Sequence, residues 1–254
     1  MLINTAIRNY VAAHNARLAR KNLAPLPIDF WLRQREKLRR FSKNTDVLRP
    51  SARVIGSKGQ HLPIPELAEL FSGVHIGTWT LDKDSIALLW KKLQEEQPDI
   101  ILECGSGVST LLFSRFFSLH HPQGRVISFE QGADEKQRIE QWLDKTQLRA
   151  FATLFHTPLD PNGRYAFDLQ ALDKALGGKK ADWLIVDGPA GPQSCRDNTL
   201  PTLLPYMKKE SRWWMDDAFR DGELAYLQQW DQNEHIQVAG IFPIGKGLGM
   251  GKLH

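Results

Sequence analysis

Apolar positions along this chain follow two rhythms that alternate from about residue 80 to the end. A helical rhythm places Ile86, Leu89, Trp90 and Leu93 at i, i+3, i+4 and i+7, with Asp82 or Asp84 as a start signal and Pro98 as a stop. The short apolar run Ile100-Ile-Leu-Glu-Cys104 then reads as a buried strand. It turns through Gly105-Ser-Gly107 into a second helix with Val108, Leu111, Leu112 and Phe116 on one face. The alternation continues with a strand at Arg125–Glu130, a helix at Asp134–Gln147 and a strand at Ala150–His156. A weaker helix at Leu169–Leu176 follows, closed by Gly177-Gly178. Next come a strand at Asp182–Asp187 and a helix carrying Leu200, Leu203, Leu204 and Met207, bent by Pro201 and Pro205. A strand at Arg212–Asp217 and a helix with Leu224, Leu227 and Trp230 lead to two last strands. These are His235–Ile241 and Gly247–Leu253, whose short connection Phe242–Lys246 suits antiparallel pairing.

Apolar strands that alternate with helices predict an α/β fold, a mostly parallel sheet covered on both faces. The ligand crevice of such a sheet lies beyond the carboxyl ends of its strands, where strand order reverses. Glu103-Cys-Gly105, Glu130, Asp187-Gly188 and Asp216-Asp217 all fall at strand ends of that kind.

The first fifty residues differ. Ile3, Ile7, Tyr10, Val11, His14 and Leu18 share a helical face, and Pro25 and Pro27 break that helix. Asp29 is the expected N-cap of a second helix, which carries Trp31, Leu38 and Phe41 among Arg33, Arg35, Lys37, Arg39 and Arg40. Residues 1–50 hold 11 Lys/Arg against 3 Asp/Glu, a net of +8, while the remainder carries −4. The basic character therefore belongs to the N-terminal segment. Two packed helices with solvated basic faces, a contact with a second subunit, or a hold on nucleic acid or an anionic membrane surface all fit it. The expected organisation is a basic helical extension at 1–50, an irregular linker at 51–77 and a main domain at 78–254.

With 42% hydrophobic and 24% charged residues, composition excludes disordered and collagen-like classes. No apolar run reaches the ~20 residues needed to span a bilayer. Cys104 and Cys195 are too few for a disulfide framework and lack metal-type spacing, which points to a reduced, cytoplasmic setting.

A strand that turns through small residues into a helix makes a cradle for a nucleotide-like ligand. Thr110 stands where a dinucleotide fingerprint has its third glycine, which counts against a nicotinamide cofactor. Glu103 before the glycines suits a cationic ligand, and Glu130, ending the next strand, suits a pair of ribose hydroxyls.

Glu103-Cys-Gly105-Ser-Gly107-Val-Ser109-Thr110, Phe129-Glu130, Asp187-Gly188-Pro189 and Met215-Asp216-Asp217-Ala218 resemble the ordered motifs of class I S-adenosylmethionine-dependent methyltransferases. The likeness covers roughly residues 75–254 and implies a Rossmann-like seven-stranded sheet ending in an antiparallel pair. It implies that Gly105 and Gly107 admit the methionine part of S-adenosylmethionine and that Glu103 orients its ammonium. Ser109 would bond its carboxylate and Glu130 its ribose, Thr110 and Asp187 would belong to the same cofactor-binding set, and Trp79 would either close over the cofactor or lie in the core.

Three carboxylates, Asp187, Asp216 and Asp217, at neighbouring strand ends repel one another unless a cation or proton intervenes, and hard oxygen ligands suit Mg²⁺ or another divalent cation. That pattern is similar to metal-dependent O-methyltransferases of the catechol type, in which the metal activates an acceptor hydroxyl. The Gly188-Pro189 that follows Asp187 departs from that subgroup. Asp217 as a helix cap, and Asp216 paired with Arg220 or Arg196, are the structural alternatives. Without metal, Asp187 or His156 would be the general base, whereas His120, His121 and His235 have no distinguishing spacing. The expected activity is methyl transfer to a hydroxyl of a small molecule or saccharide, assisted by a divalent cation. The alternatives are methylation of RNA or another polyanion held by the N-terminal helices, and a non-catalytic binding protein on the same fold.

Overall fold

The computed structural model describes residues 2–21, 24–42, 46–50, 64–72, 76, 80–191 and 195–254. The expected linker at 51–77 and Trp79 fall mostly or wholly outside them. Helices α1 (Leu2–Lys21), α2 (Ile28–Arg39), α3 (Pro65–Ala68) and α4 (Lys83–Glu96) precede strand β1 (Ile100–Cys104). Then follow α5 (Val108–His120), β2 (Arg125–Glu130), α6 (Ala133–Lys145), β3 (Ala152–His156), α7 (Leu169–Leu176), β4 (Ala181–Val186), α8 (Thr199–Leu203) and β5 (Met207–Met215). The chain ends with α9 (Asp221–Trp230), β6 (Ile236–Phe242) and β7 (Leu248–Leu253). The seven strands form one sheet in the order β3-β2-β1-β4-β5-β7-β6. β1 runs parallel to both β2 and β4, β2 parallel to β3, and β6 antiparallel to β7. Order reverses between β1 and β4, which makes their carboxyl ends the switch point of the sheet.

The chain divides into two compact units. One comprises Leu62–Val74 and Ile86–Trp213, the other Met1–His61, His75–Ser85 and Trp214–His254. The N-terminal helices belong to the same unit as the last 41 residues, Trp214–His254.

In the larger unit every residue of β1 is buried, and so are Leu111, Leu112, Phe113, Phe116 and Phe117 of α5. A five-residue apolar strand followed by an apolar helix is what a strand covered on both faces requires. The start of β1 is fixed by Asp182, whose Oδ2 accepts from the amides of Asp99 and Ile100, both at 3.0 Å. β5 begins at Met207, earlier than the expected Arg212. Pro205 cannot continue a helix, so α8 stops at Leu203, one tight 3₁₀ turn (Leu204–Tyr206) follows, and Met207 enters the strand instead of the helix.

In the other unit α2 lies on β6 and α9. Trp31, 1% exposed, donates its indole N–H to Ile241 O at 3.3 Å and packs on Phe219 with ring centroids 4.7 Å apart. Pro27, not Asp29, takes the N-cap position of α2. Asp29 sits in the first turn without a side-chain cap bond, while Phe41 and Tyr10 point outward, 73% and 68% exposed. Asp82 caps the start of α4 as expected, its Oδ1 accepting from the amides of Asp84 at 2.9 Å and Ser85 at 3.0 Å.

Candidate functional site

The turn after β1 is built by two glycines that touch. Gly105 has φ +96°, and a Cβ there would stand 3.0 Å from the backbone of Asp187 and Gly188. A Cβ on Gly188 would meet Gly105 Cα at 2.9 Å and the Tyr165 hydroxyl at 2.3 Å. Only chain lacking side chains crosses here, and the amide of Asp187 closes the crossing by donating to Cys104 O at 2.9 Å. At Gly107 the situation is opposite: among the described residues a Cβ would meet nothing within 4 Å. The loop is packed on one side and open on the other, as a cradle must be.

Glu103 sits beneath this loop and is fully buried. Its Oε2 accepts from Thr110 Oγ1 at 2.5 Å and from Ser128 Oγ at 2.6 Å. Thr110 Oγ1 in turn accepts from the Gly107 amide at 2.9 Å, so one hydroxyl joins the loop backbone to the acid. Ser128 is the β2 residue in register with Glu103, and its hydroxyl lies 2.8 Å from that of Ser106. Because Ser128 spends its hydrogen on Glu103, Ser106 is the donor of that last bond while Glu103 is ionised. Burial raises the Glu103 carboxyl to about 7, against the hydroxyls of Ser109, Ser128 and Thr110, which favour its charged form. Glu103, Ser109 and Thr110 thus face one another in the core, where the two hydroxyls link the acid to the loop.

Glu130 ends β2 with its carboxylate held open by two backbone donors. Its Oε2 accepts from the Ser106 amide at 3.0 Å and its Oε1 from the Gly132 amide at 2.9 Å. Burial raises its pKa, and these amides oppose the shift. The carboxylate is thus aimed from the end of β2 toward the glycine loop, with lone pairs remaining on both oxygens.

Asp187, just past β4, is held by Arg196, one of the two alternative partners expected for Asp216. The guanidinium, 3% exposed, donates to Asp187 O at 3.0 Å and Pro189 O at 3.2 Å, and stands 3.8 Å from Asp187 Oδ1. His156 ends β3, exposed, with Nε2 3.2 Å from Gln131 O. Two strands, β2 and β1, separate β3 from β4, so the sheet does not bring His156 to Asp187.

In the other unit, Asp216 and Asp217 follow β5, 1% and 2% exposed. Here sequence reasoning missed the deciding residue. Lys246, 2% exposed, places its Nζ 2.5 Å from Asp216 Oδ2 and 3.3 Å from Asp217 Oδ1. Arg220 adds a second cation, with Nη2 2.8 Å from Asp217 Oδ2 and Nη1 3.3 Å from Glu223 Oε1. Glu223 lies in the first turn of α9, where the helix end favours an anion. Aspartate oxygens are of the hard kind that Mg²⁺ takes, but this pair already holds an ammonium and a guanidinium. The residues present do not fit a divalent cation at Asp216 and Asp217, and no step is assigned to one. Two of the basic N-terminal residues are likewise engaged: Arg35 stands 3.4 Å from Asp221, and Arg39 pairs with the same carboxylate.

No protein-family model and no curated protein matches this sequence. Solved structures do match. A methyltransferase from Geobacter sulfurreducens aligns with a TM-score of 0.53 at 19% identity, over 75% of this chain and 88% of its own. The O-methyltransferase from Bacillus cereus, in complex with S-adenosylhomocysteine, aligns at 0.56 and 14% identity over 89% and 100%. The O-methyltransferase TomG from Streptomyces achromogenes, involved in tomaymycin synthesis and in complex with S-adenosylmethionine, aligns at 0.54 and 12% over 75% and 90%. The chain has the class I methyltransferase fold.

Proposed function

We propose that this chain is an S-adenosylmethionine-dependent methyltransferase acting on a hydroxyl of a small molecule or saccharide. One observation carries it: at the switch point of a class I methyltransferase sheet, a braced glycine loop is open at Gly107 and faces the carboxylate of Glu130. When bound, S-adenosylmethionine supplies a methyl group activated on a sulfonium. The loop backbone at Gly105–Gly107 would accommodate its amino-acid part, and Glu130 would accept hydrogen bonds from its ribose. The likeness to O-methyltransferases supports a hydroxyl acceptor. Asp187, held by Arg196 beside the loop, is the carboxylate that would take the proton of the acceptor hydroxyl. Holding the acceptor oxygen in line with the methyl group is the larger part of the task.

Arg35 and Arg39 are paired with Asp221, which weakens a polyanion site on α2 and leaves the small-molecule acceptor preferred. Among the described residues no helix is long and apolar enough to cross a membrane. Calorimetry with S-adenosylhomocysteine tests the proposal. One-site binding that is lost in Glu130→Ala is expected, and no binding by the wild-type chain would defeat it.

A further inference from the structure

We infer that the ammonium of Lys246 takes the place a divalent cation would hold at Asp216-Asp217, so that this acid pair is complete without metal. Its bearing on turnover rests on the methyl-transfer proposal above; the charge assignment itself does not.

The geometry is built for the purpose by backbone as well as charge. Lys246 lies between Gly245 at φ +46° and Gly247 at φ +86°, both in the left-handed region open to glycine. A Cβ on Gly247 would stand 2.7 Å from the Phe219 ring and 2.9 Å from its amide. A Cβ on Gly245 would run into the Asp82 carboxylate at 1.6 Å. The lysine turn is therefore pressed against its neighbours on both sides. Two backbone bonds clip it to the turn that carries the acids: Phe219 N donates to Lys246 O at 3.1 Å and Ala218 N to Gly247 O at 3.0 Å. Asp217 itself is held at φ +61°, a conformation that costs free energy and persists when its surroundings fix it. Ammonium and carboxylates thus belong to two turns that cannot drift apart.

A surface lysine that meets an acid by chance is flexible and solvated. Lys246 is neither, being 2% exposed with both aspartates equally buried. A buried ion in such surroundings is strongly unfavourable without an opposite charge at contact distance. Metal and ammonium cannot share one Asp216 oxygen at 2.5 Å, so occupation by one excludes the other. Lys246 is accordingly a positioning residue: it fixes Asp216 and Asp217 in the way a bound cation fixes its ligands.

The test is an electron paramagnetic resonance titration of the full chain with Mn²⁺. The wild-type protein is expected to leave the free Mn²⁺ signal undiminished, and its melting temperature should be the same in chelator and in Mg²⁺. Lys246→Met should remove free Mn²⁺ in proportion to protein, and its melting temperature should rise as Mn²⁺ is added. A purely structural lysine would produce no such gain. Uptake of Mn²⁺ by the wild-type chain at these acids, abolished by Asp216→Asn, would overturn the inference. Absence of uptake by a Lys246→Met protein with native near-ultraviolet circular dichroism would overturn it as well. If Lys246→Met does not fold, Lys246→Gln and the wild-type titration carry the same outcomes. Binding of S-adenosylhomocysteine by the wild-type chain, measured separately, tells failure of this inference from failure of the cofactor proposal.

Discussion

Glu103 and the Asp216-Asp217 pair present the same problem, a carboxylate withdrawn from water, and the molecule answers it in two ways. Beneath the glycine loop, among the described residues, Glu103 Oε2 meets the hydroxyls of Thr110 and Ser128 and no cation. Hydroxyls compensate part of the lost hydration, and the acid is left at about 7. After β5 a lysine and an arginine meet the acids directly. Hydroxyl compensation makes a charge conditional on pH. Compensation by a cation makes each partner depend on the other.

That contrast breaks most sharply at Lys246. Lys246→Met should cost about 3–5 kcal/mol at neutral pH, the usual penalty for stranding one side of a buried ion pair. Chemical denaturation checks it, and the deficit should shrink in acid as the stranded carboxylates take up protons.

Glu103→Gln should produce the next largest effect, read as a pH dependence. The folded-state pKa lies above the ordinary 4.5, so between pH 4.5 and about 7 the native chain holds a proton that the unfolded chain has released. Stability from this group is fully present below 4.5, declines as pH rises and levels off above 7. The difference in unfolding free energy between wild type and Glu103→Gln should therefore change by roughly 3 kcal/mol across that window. A constant difference would show that Glu103 titrates normally.

Thr110→Val keeps the shape but removes both the acceptor for the Gly107 amide and a donor to Glu103. A loss of about 1–3 kcal/mol is expected, with the Glu103 titration displaced to still higher pH, as followed by denaturation at several pH values. Arg35→Ala marks the lower end. Its pair with Asp221 is partly solvated, and a change of about 1 kcal/mol or less should follow, reduced further by salt.

Much of the larger unit was legible in the sequence because its signals are local. β1 and β2 announce themselves as short apolar runs and Gly105 and Gly107 as a turn; in the other unit Asp82 reads as a cap for the same reason. Direction is not local. Ser109 and Thr110 open a helix beside the glycines and read as ligand contacts; that their hydroxyls also reach Glu103 is visible only in the fold. Only the register that sets Ser128 opposite Glu103 shows that the acid has partners in the core. Lys246 was hidden for a related reason. It stands some thirty residues beyond Asp216 in a glycine-rich connection, where a lysine ordinarily means solvent, and the pairing of β6 with β7 alone fixes where that turn lies. Charge repulsion among the aspartates pointed to a cation. Chain order did not reveal that the cation was covalently part of the protein.

The bridge between Leu26 and Ile241 has a consequence of a different sort. β6 ends the sheet, and an end strand with free amides and carbonyls is a template on which another chain can add. Leu26 occupies one point of that template, exchanging two backbone bonds of 2.9 Å with Ile241, and Gly240 leaves it room, since a Cβ there would lie 2.3 Å from Leu26 O. The segment ahead of α2 is in this sense a guard against self-association. A chain shortened past Leu26 would expose a bare sheet edge, and its failure would show first as aggregation, with the glycine loop still intact.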